Sequence, residues 1–111
     1  MTRTELIERT QRLVAEGDRL QRQPSLPALR TWLQLSDELL SAAWGSMDRY
    51  HLVWLSVGRS NEVRGRAMST GEESAYVRGV AEQKTAALLM SLKAAQDNMP
   101  FLGETQEQAE S

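Results

Sequence analysis

The chain has 111 residues, with 13 Lys and Arg against 15 Asp and Glu, a single His and no Cys. That is one domain's worth of chain. The missing cysteine excludes disulfides and thiolate metal sites as supplements to a small core, and the near-balanced charge excludes the broad basic field of a general nucleic-acid binder. The longest apolar run, Ala86 to Met90, is far shorter than the roughly 20 residues of a membrane-spanning helix. Charges at Arg3, Glu5, Glu8 and Arg9 leave no apolar core for a signal peptide. The expected location is cytoplasmic, with no membrane partner.

The first element is a helix over about 4–21. Leu6, Leu13 and Leu20 recur every seven residues with Ile7 and Val14 beside them, and Glu5–Arg9, Glu8–Arg12 and Asp18–Arg22 are acid-before-base pairs one turn apart. Its apolar stripe is narrow, and Gly17 weakens it by about 1 kcal/mol relative to alanine, so it needs a partner. Pro24 and Pro27 then break the helix, with Ser25 as N-cap of the next one and Pro27 in its first turn.

The second helix is expected to run over 26–58. From Leu26, steps of three and four residues fall on Leu29, Leu33, Ser36, Leu40, Ala43, Met47, Tyr50, Trp54 and Val57. The phase is the same on both sides of Gly45, which points to one helix of roughly 50 Å. The competing reading is a break at Gly45–Ser46. Trp32, Leu35, Leu39 and Ala42 form a second apolar flank, and YHLVWLSV is apolar in nearly every direction, so this helix needs cover on several sides.

Residues 58–70 lose the helical pattern. A minor alternative makes Leu52–Val57 and Glu62–Met68 a small β-hairpin within 52–68. The last helix is expected over 71–98, with Thr70 and Glu73 as a capping box and Pro100 beyond its end. Residues 1–99 then form a single helical domain, and 100–111 an acidic disordered tail. The fold class is all-α: a short N-terminal helix packed on a long antiparallel helical hairpin, its bundle completed by oligomerisation.

The lone His51 sits three residues after Asp48, the spacing of di-metal helical bundles. Those need two such pairs and two more carboxylates, which one histidine does not supply. No nucleophile elbow, phosphate loop or dinucleotide fingerprint accompanies it, and Gly58, Gly65 and Gly71 stand too far apart for the last. No catalytic residue, metal or cofactor is therefore assigned. Trp32, Trp44 and Trp54 fit a packing seam better than a small-molecule pocket. The expected interface comprises Leu40, Ala43, Trp44, Met47, Tyr50, His51, Trp54 and Val57. Arg9, Arg12, Arg19 and Arg22 share a helix face and are mostly matched by acids, whereas Arg59, Arg64 and Arg66 are opposed only by Glu62. These last three are the candidate anion or nucleic-acid contacts.

A helical hairpin with a basic connecting loop resembles, in layout alone, ring-forming phage packaging subunits, but the 23 residues before Pro24 are too few for the helix-turn-helix those subunits usually carry. The sequence thus points to a non-enzymatic assembly or adaptor protein. Its expected partners are itself, as a homodimer or higher oligomer, and a larger protein. The alternative is a phage- or bacterial-type accessory protein that binds nucleic acid through the loop arginines of a symmetric oligomer.

Overall fold

The computed structural model describes residues 1–58 and 69–104. These form four helices and no strand: α1 Arg3–Arg22, α2 Leu26–Trp44, α3 Arg49–Ser56 and α4 Thr70–Gln96. The all-α class and bundle packing stand as expected. The molecule is a rod of 57 × 24 × 19 Å with a radius of gyration of 15.4 Å, against about 13 Å for a compact chain of this length.

At the starts of α1, α2 and α4, side-chain caps satisfy backbone donors that would otherwise lack partners. Thr2 and Glu5 form a capping box on α1, and Ser25 caps α2 with Pro27 in its first turn. The Thr2 backbone N–H and then its hydroxyl hold the Glu5 carboxyl below its usual range. That capping contribution is present at neutral pH and is lost as pH falls through the lowered value. The box on α4 pairs Ser69 with Glu72, one residue before the expected Thr70 and Glu73. α4 ends earlier than expected, in a Schellman turn. Asn98 adopts φ 65° and Met99 N–H reaches back to Ala94 O at 3.0 Å.

The single helix over 26–58 does not form. α2 stops at Trp44, Gly45 takes φ 103° and ψ 144°, Met47 takes φ 65°, and α3 restarts after Asp48. The chain reverses there, so His51 meets Asp37. In a continuous helix those residues would stand about 21 Å apart. The shared phase across Gly45 arises because α2 and α3 bury their apolar sides in the same core. Met47, the seam position inside the turn, is 60% exposed.

The reversal changes the pairing of the helices. α1 runs antiparallel to α4, with Arg3 beside Ala95 at one end and Arg78 bonded to Gln21 O at the other. α1 also runs antiparallel to α2, where the Trp32 indole donates to Leu13 O at 2.8 Å. α2 and α4 are therefore parallel, with Trp44 near the end of α2 donating to Ser91 Oγ at 2.8 Å. They are not the two arms of an antiparallel hairpin. The helix buried on several sides is α4, which packs against α1, α2 and α3.

α1 makes its most extensive contact with α4. Its seam is wider than the leucines alone suggest, because Thr10 and Gly17 are buried between them, giving Leu6, Thr10, Leu13, Gly17 and Leu20 at steps of four and three. The Thr10 hydroxyl is satisfied by Leu6 O at 2.7 Å. At Gly17 neighbouring side chains press against the backbone: a Cβ there would lie 2.0 Å from Thr85 Oγ1 and 2.9 Å from Trp32 Cζ2. Among the described residues, Thr85 Oγ1 has no hydrogen-bond partner.

The start of the expected disordered tail is also packed. Phe101 is buried on Trp44 with ring centroids 5.9 Å apart, Gly103 N–H donates to Ala43 O at 3.1 Å, and the Met1 amine donates to Gly103 O at 2.8 Å. Arg3 binds Ala95 O, Met99 O and the Glu104 carboxylate, at 2.9, 3.0 and 3.0 Å, and lies over the Phe101 ring. Apolar burial and hydrogen bonding thus hold 100–104 against the bundle. The rest of that expectation, 105–111, lies outside the described residues.

Gly17→Ala is expected to lower stability by about 1–3 kcal/mol in urea unfolding, since overpacking outweighs the gain in helix propensity of about 1 kcal/mol. Adding Thr85→Ala should recover much of that loss; additive effects of the two changes would refute the close-approach explanation.

Candidate functional site

Gly45 and Asp48 bring the aromatic cluster together by turning α3 back along α2 and α4. Trp44 closes the end of α2. Its ring lies 4.6 Å from Tyr50 and its indole N–H is satisfied by Ser91. Leu40 and Ala43 are fully buried beneath it.

His51 is buried at the α2–α3 junction, its ring stacked on Trp54 with an interplanar angle of 13°. Nδ1 accepts from the Met47 backbone N–H at 2.9 Å. The ring proton therefore sits on Nε2, which donates to the Asp37 carboxylate. Asp37 is half-exposed at the side-chain level. The pair closes the turn: one nitrogen holds the backbone at Met47 and the other ties α3 to α2. Neither nitrogen is directed at a serine or a metal position. Asp48, whose spacing to His51 drew attention in the sequence, is exposed at the N-cap of α3 and makes no side-chain cap bond. Among the described residues, no three His, Cys, Asp or Glu side chains gather as metal ligands.

Trp54 is buried against α4. Lys84 donates to Trp54 O at 2.5 Å and its ammonium lies 4.0 Å from the Trp54 ring centroid, a cation–π contact that accommodates a buried lysine. Gly58 N–H donates to Gln83 Oε1 at 3.0 Å, ending α3 on α4. The Trp54 indole N–H has no hydrogen-bond partner among the described residues.

The expected interface is thus mostly spent inside the chain. Leu40, Ala43, Trp44, His51 and Trp54 are buried, while Tyr50 and Val57 are half-buried against the core. Only Met47 stands out at the surface. Within the chain, α3 covers side chains that were expected to face a second molecule. Arg59, Arg64 and Arg66 lie outside the described residues. So does most of the 52–68 β-hairpin alternative, although its 52–56 portion is helical.

The open surface lies elsewhere, between α1 and α2. Two adjoining hollows of about 560 and 370 Å³ share Arg12, Leu13 and Leu35. Leu13, Trp32 and Leu39 form the floor, and Leu35 stands 51% exposed on the α2 wall. The sequence carried a partial signal for it, the apolar flank Trp32, Leu35, Leu39 and Ala42. That flank exceeds what α1 covers, because α1 is drawn toward α4.

No protein family, curated protein or solved structure shows significant similarity to this chain.

Asp37→Ala and His51→Ala should show a coupling of about 1 kcal/mol in a double-mutant cycle measured by chemical unfolding. Zero coupling would mean that the two residues do not meet, as in an unbroken helix.

Proposed function

We propose that the protein is a non-enzymatic helical assembly or adaptor protein, acting through self-association and through contacts with a larger protein. The observation that carries this reading is the division between buried chemistry and exposed apolar surface. His51, Trp32 and Trp44, the residues that drew attention as chemistry, direct their hydrogen-bonding groups into the chain's own packing. Meanwhile Leu35 stands over an open groove with an apolar floor. Concave apolar surface on a thin rod supports helix-to-helix contact, the mode by which small bundles complete their burial.

Sedimentation equilibrium of the full chain is expected to show a dimer or larger species at micromolar concentration. A folded monomer at tens of micromolar would refute the self-association reading. Salt-dependent binding of nucleic acid, lost in Arg64→Ala with Arg66→Ala, would instead favour the accessory-protein reading.

A further inference from the structure

Building on the self-association reading, we infer that the α1–α2 groove is a two-fold interface, occupied by the same groove of a second copy. Arg9 and Arg12 on α1 face Glu38 on α2, while Glu16, which also lines the α1 wall, is paired with Arg19 of its own helix. Glu5, one turn before Arg9, is held in the Thr2 capping box, and Arg9 makes no direct ion pair among the described residues. Glu38 accepts only a neutral hydrogen bond from Gln34, at 3.2 Å, and likewise has no direct cationic partner among the described residues. Two opposite charges thus stand on facing walls of one groove without pairing.

The register makes these charges self-complementary. The Trp32–Leu13 bond sets position 32 of α2 level with position 13 of α1. One turn further along both antiparallel helices, Arg9 is level with Ser36 and two residues from Glu38. A two-fold axis running along the groove lays α1 of one copy over α2 of the other at the same height. Arg9 then faces Glu38 of the second copy, and symmetry repeats the pair. Leu35 from each copy enters the opposite groove over Leu13, removing the exposed apolar side chain from water.

The face is large enough. α1 is 20 residues long, which is about 30 Å, and two helices side by side span about 20 Å. That gives about 600 Å² per copy, at the lower edge of stable protein interfaces. Of the other exposed apolar residues, Leu52, Leu89 and Met90 lie on α3 and α4, Met47 in the turn after α2, and Met99 and Leu102 beyond α4; none of them lines this groove.

The test is sedimentation equilibrium on the full chain, with circular dichroism to verify that each variant is folded. Leu35→Asp, at an exposed position, should raise the dimer Kd about a hundredfold, and Leu89→Asp should leave it unchanged. Arg9→Glu and Glu38→Arg should each raise Kd about tenfold through repeated like-charge contacts. The double variant, Arg9→Glu with Glu38→Arg, should return to within about threefold of wild type, because every pair is restored with its signs exchanged. A wild-type dimer that persists in Leu35→Asp would overturn this interface while leaving self-association intact. A double charge variant weaker than both singles would overturn the register. A monomeric wild type would overturn the self-association reading itself.

Discussion

At Gly45 the backbone occupies φ 103° and ψ 144°, a region that side chains with a Cβ rarely enter, and two residues later Met47 takes φ 65°. The arrangement of the bundle depends on this reversal. It brings α3 back along α2, carries Trp54 to Lys84 and lets α4 run parallel to α2 in the centre of the bundle. The cost of a left-handed methionine and a strained glycine is of the order of a few kcal/mol. It is offset by burying Trp54 and His51 and by tying the Met47 N–H and Asp37 to the same imidazole.

With α3 folded onto α2, Trp44, His51 and Trp54 are buried within the chain. The open apolar groove lies where α1 and α2 diverge. Gly17 and Thr10 explain the divergence. They let α1 sit deeply against α4, and α1 cannot lie equally close to both neighbours. The open groove and the tight α1–α4 seam thus have one cause. The contact of α1 with the strap around Phe101 also depends on that seam, because it places Arg3 at the carbonyl end of α4. There the guanidinium meets the negative end of the helix dipole and donates to the carbonyl groups of Ala95 and Met99.

Much of the local structure was legible in the chain. The Leu6–Leu13–Leu20 repeat, the Ser25 cap with Pro27 and the stop before Pro100 are short-range signals, and each acts through residues within a turn of one another. A break at Gly45–Ser46 was legible too, although the new helix starts after Asp48 rather than at Ser46. The unbroken heptad phase overruled it. Phase reports which side of a helix is buried, and a segment that folds back onto the same core buries the same side. Gly17 read as a defect because its reason, Thr85 and Trp32 pressed against its Cα, lies 68 and 15 residues away.

The sequence alone determined that this chain is all-helical, where most of its helices start and stop, and that α2 has more apolar surface than one neighbour covers. Only the tertiary structure decided which neighbours cover it. Helical periodicity is set by contacts within a few residues, whereas the partner of an apolar face is set by how closely two backbones approach and where the chain reverses. Small residues at Thr10 and Gly17 controlled the first, and the positive φ at Gly45 and Met47 controlled the second. Together they buried Trp54 inside the chain and left Leu35 outside it.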